Sequence, residues 1–445
     1  MSDLRRLVVT AAHAGISPGA VPIGGGASVV GQLAAHWAAA GLPVTVLGLG
    51  AEFGVPGVVY EQVPVRWPRD WGPDDLVRLG ELDYARVCRD FEREVTARVR
   101  REDPRGLVVV ANDISEGPDF AALDAAGLPV VTLWHVDVVD YFARFYLGGL
   151  APETAVAFYL RLGAGRRLVP DVLKLVFAKQ TACVAHSRRH VVPSSPMRAV
   201  IDRCYPGAGA KVEVVPWGAW PTVATAAEVA AAREALRREH DLRPGETLLV
   251  TLSRLSPEKG LERLLRALAL GEARRELPAG VRLWIGGEAA FMQGQRYVRH
   301  LQRLAGRLRR VRVDFLGYVA GARKLALWEL ADLYVFPSRH ESYGLTLAEA
   351  LRSGVPVVTT EHYSARDLVP PGVGVIVPNR PEAQVPAALW EALRPLLGDA
   401  ARRAALAQAA AAVSPPDFAS AAARVAAICA AVLTSPAGRD PAPAP

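Results

Sequence analysis

The stretch SRHESYGLTLAE, residues 338–349, sets one carboxylate, Glu341, in a turn, then Gly344, then a second carboxylate, Glu349, one turn into an apolar helical pattern. Helical side chains lean toward the start of their helix, so Glu349 points back to the mouth that holds Glu341. A carboxylate there repels phosphate but accepts hydrogen bonds from vicinal hydroxyls, such as those of a ribose. Glu341, in the turn itself, can do the same for a second sugar. Upstream, SRLSPEKG carries Arg254 and Lys259 in a loop that leads into a helix. A forked guanidinium, an ammonium and the free amides of a helix start are the groups that grip a diphosphate. Leu345 and Thr346, directly after Gly344, offer such amides. The set describes a nucleotide diphospho-sugar: cations and amides at the phosphates, one acid at each flanking sugar. As ordinary surface charges, two cations at a helix start would oppose the helix dipole. An unpartnered acid within LTLAEALRSGV would be costly to bury.

These residues need elements to hold them. Short apolar runs alternate with longer helical patterns along the chain. In the first half, 5–12, 43–48, 106–111, 129–134, 182–186 and 211–216 read as strands, with helices such as 28–40 and 86–101 between them. After a helical connector near 225–239 the pattern restarts, with strands at 247–252, 281–285, 312–316, 332–336, 355–359 and 373–377. Continuous apolar strands separated by helices mean parallel sheets covered on both faces. The fold class is therefore α/β, with two Rossmann-like doubly wound domains facing a cleft. The expected boundaries are 1–220 for an acceptor-binding domain, 221–412 for a nucleotide-sugar-binding domain, and 413–433 for a C-terminal helix. The Pro/Ala-rich tail 434–445 reads as disordered.

Open parallel sheets bind ligands at the carboxyl ends of their strands. The residues found there are Gly24, Gly25 and Gly26, then Asn112 and Asp113, then His135. In the second half they are Arg254 and Lys259, Gly286 and Gly287, Gly317, Tyr318 and Val319, and Glu341.

The E-x7-E run Glu341–Glu349 within PSRHESYGLTLAEALRSGVPVVTT, together with SRLSPEKG, resembles family 4 of the retaining glycosyltransferases with the GT-B fold. The resemblance extends to GGGASVVGQLAAHWAAAGLPVTV (a glycine loop and first helix), PVVTLWH (a strand ending in an active-site histidine) and KVEVVPWGAW before the second domain. It implies that Arg254 and Lys259 bind the diphosphate, Glu349 the ribose, and Glu341 the donor sugar, with backbone donors from Tyr343 to Thr346. It further implies that Val319 contacts the base through its backbone. Gly24, Gly25 and Gly26 would let the first domain approach the phosphates, and His135 would sit near the transferred sugar. His135, Glu341, Arg254 and Lys259 are then the catalytic set, and the final helix crosses back to the first domain. The chain departs from the family at Ser253, where glycine is usual, and at EHYSARDL, where a Gly-Gly pair is often found.

No D-x-D triplet occurs in the sequence, and none of the residues above forms a metal set. Leaving-group charge then falls to Arg254, Lys259 and the helix dipole. The expected reaction is metal-independent transfer of a glycosyl group to an acceptor hydroxyl with retention, and with no cofactor beyond the donor. A phosphorylase on the same architecture is an alternative, disfavoured by Glu349, which would have no ribose to hold. A non-catalytic nucleotide- or glycan-binding protein is another, disfavoured by the intact motif.

Composition bounds the remaining classes. The 445 residues are 51% apolar, enough for about two or three cores. The net charge of +7 favours an anionic partner. A nucleic-acid partner is disfavoured, because the densest basic cluster, 296–312, interleaves Val298, Leu301, Leu304 and Leu308 at helical spacing. It reads as an amphipathic helix with a solvated basic face. Cys88, Cys183, Cys204 and Cys429 are scattered, which argues for a reducing compartment. No apolar run reaches the ~18 residues of a membrane span, and the expectation is a cytoplasmic protein. DVLKLVFAKQTACVAHSRRH mixes apolar and basic residues; a membrane-surface contact and a core helix followed by a strand both account for it.

Overall fold

The computed structural model describes residues 4–16, 25–163, 168–289, 294–413 and 416–434. The chain divides into two compact units, one from the residues up to Trp217 and from Asp417 onward, the other from Gly218–Pro416.

In the first unit, β1 (Arg6–Thr10) leads to α1 (Gly25–Ala39), β2 (Val44–Gly48) and β3 (Val59–Gln62). Then come α2 (Glu81–Val99), β4 (Leu107–Ala111), α3 (Phe120–Ala125), β5 (Val130–Leu133), α4 (Val138–Tyr146), α5 (Pro152–Arg161), α6 (Asp171–His186), β6 (Arg189–Val192), α7 (Ser195–Cys204) and β7 (Val212–Val214). The strands form one parallel sheet in the order β3-β2-β1-β4-β5-β6-β7. LVVVA of β4 and VVTL of β5 are buried along their whole length, as a sheet covered on both faces requires. Chain order reverses between β1 and β4, which is where such sheets bind ligands.

The second unit runs α8 (Ala226–Glu239), β8 (Thr247–Leu252), α9 (Leu261–Ala273), β9 (Val281–Gly286), α10 (Gly294–Ala305), β10 (Val311–Gly317) and α11 (Gly321–Leu330). It continues with β11 (Leu333–Phe336), α12 (Leu345–Arg352), β12 (Val357–Thr360), α13 (Ala365–Leu368), β13 (Gly374–Val377), α14 (Val385–Gly398) and α15 (Ala400–Ala411). Its parallel sheet has the order β10-β9-β8-β11-β12-β13, again reversing beside the first strand. Helix α8 starts at a capping box in which the side chains of Thr225 and Glu228 reach each other's amides. The entry to this unit meets its exit, with Ala219 N donating to Pro416 O at 3.3 Å.

Helix α16 (Phe418–Thr434) belongs to the first unit. Its buried stripe, Phe418, Ala421, Ala422, Val425, Ile428, Cys429 and Val432, follows the spacing of one helical face. It packs on α1, where the Trp37 indole donates to Ala422 O at 2.8 Å.

Two readings need correction. ACVAH, 182–186, is not a strand but the last turn of α6, whose buried Cys183 lies near Thr132 and Ser187. The strand is the more polar RHVV that follows. His190 is fully buried there and accepts from the Trp134 indole at 3.2 Å, which hides a polar residue in a core strand. The helix expected over 296–312 ends at Ala305, and Arg312 lies on β10. The amides of Arg309, Arg310 and Val311 donate to the Glu272 carboxylate, which draws the chain out of the helix. Among the described residues, no helix is long and apolar enough to cross a membrane.

Candidate functional site

The carboxyl ends of β8, β9, β10, β11 and β12 gather the candidate residues of the second unit. Their loops are stitched by backbone bonds: Ser253 N to Gly286 O (3.1 Å), Leu255 N to Glu288 O (2.7 Å) and Gly287 N to Gly317 O (2.7 Å). The loop after β11 is tied to the SRLSPEKG loop as well. Arg339 N donates to Glu258 O at 2.8 Å, and its guanidinium donates to Pro257 O at 2.6 Å. Beneath, the buried guanidinium of Arg263 donates to Pro337 O (3.3 Å) and Asn379 Oδ1 (2.6 Å) and pairs with Glu382. A loop held at this many points presents its side chains in one geometry.

On this frame Lys259 meets Glu341, with Nζ 2.6 Å from Oε2. Burial pushes the Glu341 carboxyl up, but Lys259, His362 and His340 outweigh it and hold the group at about 2. Arg254 Nη2 lies 3.7 Å from the Glu258 carboxylate, which also accepts from Ser256 Oγ at 2.6 Å.

Gly344 caps α12 at φ +86°, a conformation that favours glycine. It turns the chain so that the helix starts immediately. The first helical bond runs from Ala348 N to Gly344 O (3.0 Å), so the amides of Leu345 and Thr346 open from the helix end. Tyr343 is buried, and its carbonyl accepts from Ser364 Oγ. The Tyr334 hydroxyl donates to Leu252 O at 3.0 Å and stands 2.8 Å from Thr346 Oγ1, fixing the first turn of α12 to the end of β8.

Glu349, only 4% exposed, takes a hydrogen bond on Oε1 from Lys324 Nζ at 3.1 Å. Burial raises its carboxyl above the usual range, and Lys324 opposes the rise. Its Oε2 is buried and makes no close hydrogen bond among the described residues, though the Trp328 side chain also favours the charged form. Val319 is buried and packs close to Gly286 at the end of β9.

In the first unit, the ends of β1, β4 and β5 hold a separate group. His135 Nε2 lies 2.8 Å from Asn112 Oδ1, and the ring packs beside Trp217 at 5.7 Å between centroids. Gly26, in the first turn of α1, is a close approach: a β-carbon there would stand 2.9 Å from His135 Cδ2. Burial, and secondarily His13, lowers His135 to about 4, so the ring is neutral at physiological pH. Asp113 accepts from Ala12 N at 3.1 Å; burial raises its carboxyl against the pull of His13. Gly25 opens α1, and Gly24 lies outside the described residues. Asp137 is a helix cap, accepting from Asp140 N at 2.8 Å, and Ser187 bonds Thr132 at 2.8 Å.

Arg254, Lys259, Val319, Glu341, Tyr343, Gly344, Leu345, Thr346 and Glu349 thus share one edge of the second sheet. His135, Gly25 and Gly26 share one edge of the first. Sequence reasoning missed Lys324, Tyr334 and His362. His362 stands against Phe336, lies 3.1 Å from Thr359 Oγ1 and 3.3 Å from Ser364 Oγ, and is lowered to about 4 by burial. It falls in EHYSARDL, where the family pattern is absent. Lys324 stands 25 positions before Glu349, a separation with no periodic signature. Tyr334 read only as a strand residue.

Residues 232–413 match the family described as "Glycosyl transferases group 1". A GDP-mannose-dependent alpha-(1-6)-phosphatidylinositol dimannoside mannosyltransferase of Mycobacterium tuberculosis is 31% identical over 147 residues, covering 33% of this chain and 35% of that protein. The match thus spans about a third of that relative's length. A D-inositol 3-phosphate glycosyltransferase of Pseudarthrobacter chlorophenolicus is 26% identical over 364 residues, 81% of this chain and 80% of that one. Among solved structures, Anabaena Alr3699/HepE in complex with UDP and glucose superposes with a TM-score of 0.66 at 19% identity, covering 97% of this chain and 100% of the other. The two parallel-sheet units have the GT-B glycosyltransferase fold.

Proposed function

We propose that this chain, whose second unit carries a glycosyl transferases group 1 domain, is a retaining, metal-independent glycosyltransferase. It moves a sugar from a nucleotide diphospho-sugar to an acceptor hydroxyl. The observation that carries this reading is the pair of carboxylates at the start of α12, each with its own lysine: Glu341 with Lys259 at 2.6 Å and Glu349 with Lys324 at 3.1 Å. A single anion at a helix start is common; two acids that flank free amides, with a guanidinium nearby, suit a ligand that alternates hydroxyls and phosphates.

In this reading Arg254, Lys259 and the amides of Leu345 and Thr346 take the diphosphate and neutralise it as it leaves. Glu349 accepts from the ribose hydroxyls. Glu341 orients the donor sugar, and the departing phosphate assists removal of the acceptor proton. His135 borders the transferred sugar. A curated relative is named for GDP-mannose, which makes GDP-mannose the first donor to assay.

Purified protein is incubated with GDP-mannose, then with UDP-, ADP- and dTDP-sugars and candidate acceptors, with EDTA throughout. The expected result is release of nucleoside diphosphate matched by a glycoside of unchanged anomeric configuration. Inversion, strict dependence on a divalent ion, or turnover only with sugar 1-phosphate and no nucleotide would overturn the proposal.

A further inference from the structure

Asn112 follows β4 and His135 closely follows β5, and the two strands are neighbours, with Ala111 beside Thr132. Asn112 is fully buried, and its amide donates to Thr10 O at 2.9 Å, so it cannot drift from its place. Its side chain makes two contacts that together fix its orientation. Oδ1 faces His135 Nε2 at 2.8 Å, and Nδ2 donates to Asp113 Oδ1 at 3.4 Å. The reversed amide would set its oxygen against that carboxylate oxygen, two acceptors facing each other. An amide oxygen can only accept, so the imidazole nitrogen it meets must carry the proton.

We infer that Asn112 is a positioning residue that holds His135 as the Nε2–H tautomer and leaves Nδ1 as the ring's acceptor. Gly26 and Trp217 close around the same ring. A ring held in this way accepts a hydrogen bond from a hydroxyl and cannot donate a proton through Nδ1 while neutral. Under the proposed glycosyl transfer, which only this consequence assumes, His135 orients a substrate hydroxyl and does not act as the acid for the leaving group. The titratable groups that act on the ring are His13, from the loop after β1, and Asp113, through Asn112.

The test is a long-range proton–nitrogen NMR spectrum of the full chain labelled in histidine, with His135→Gln used to assign the signal. The expected wild-type pattern at neutral pH is a protonated Nε2 with a bare Nδ1. Asn112→Leu should give an averaged mixture of tautomers and lower kcat on the order of 10- to 100-fold, with donor KM little changed. Asn112→Asp should restore the Nε2–H pattern, and its carboxylate should raise the pH at which the ring takes up its second proton. If Asn112→Leu does not fold, Asn112→Asp carries the test alone. A wild-type ring protonated on Nδ1, an unchanged pattern in a folded Asn112→Leu, or no rise in the Asn112→Asp midpoint overturns the inference. The spectrum is read on the free protein, so an error about the reaction would leave it untouched and would appear only in kcat.

Discussion

Replacing Lys259 with methionine isolates the ion pair between the two loops of the second unit. The ammonium lies 2.6 Å from Glu341 Oε2, with the two side chains 10% and 20% exposed. Burial alone would push Glu341 up, yet the lysine and the nearby histidines bring it from 4.5 to about 2. At about 1.4 kcal/mol for each tenfold change in proton affinity, this depression corresponds to about 3 kcal/mol of stability at neutral pH. The folded value lies below the unfolded one. The contribution is therefore present above the unfolded value, about pH 4.5, and lost as the pH falls toward about 2. In Lys259→Met the sign reverses. Burial becomes the dominant influence, Glu341 rises above its unfolded value, and its charged form costs stability until acid protonates it. Lys259→Met should lose about 2–4 kcal/mol at neutral pH, as expected for an acid left without its partner. That deficit should narrow toward about pH 5, and adding Glu341→Gln should recover a large part of it. Urea denaturation of the four proteins of this double-mutant cycle, at several pH values, measures both effects. A coupling below about 0.5 kcal/mol at neutral pH, or a deficit that acid leaves unchanged, would refute the reasoning.

The other predictions use ligand affinity and rate. Arg254→Ala should weaken nucleoside diphosphate binding by about 1.5–3 kcal/mol, the worth of a charge-assisted contact, as read by calorimetry; unchanged affinity would remove Arg254 from the phosphate site. Lys324→Met deprives the buried Glu349 of its cation and moves that carboxyl further up. The acid limb of nucleotide affinity should therefore shift to higher pH, and an unshifted limb counts against Glu349 binding as a carboxylate. Gly26→Ala sets a methyl 2.9 Å from His135 Cδ2. It should reduce kcat by on the order of 10- to 100-fold through ring displacement, while leaving the melting temperature within a few degrees.

The sequence alone determined what depends on local order. Short β-branched apolar runs such as LVVVA and TLLVTL, alternating with longer helical patterns, read as strands buried on both faces, and the helices between them favour parallel pairing. Glu341, Gly344 and Glu349 are legible because a turn, a left-handed glycine and a helix of fixed pitch follow one another within nine residues. Where local order was ambiguous the reading failed: ACVAH fits a helix or a strand, and RHVV hid its strand behind an arginine and a histidine whose burial and Trp134 partner are not visible locally. Strand β3 was not anticipated, since its residues mix exposed and half-buried positions; helices α4 and α5 were also missed, although α5 buries Pro152, Ala155, Val156 and Tyr159 at the spacing of one helical face. Tertiary structure alone decided the partners. Lys259 finds Glu341 across 82 positions, Lys324 finds Glu349 across 25, and Asn112 finds His135 across 23. Periodicity encodes which face of an element is buried. Which side chains then meet at the ends of adjacent strands depends on strand order and register, and those are fixed only when the whole sheet forms.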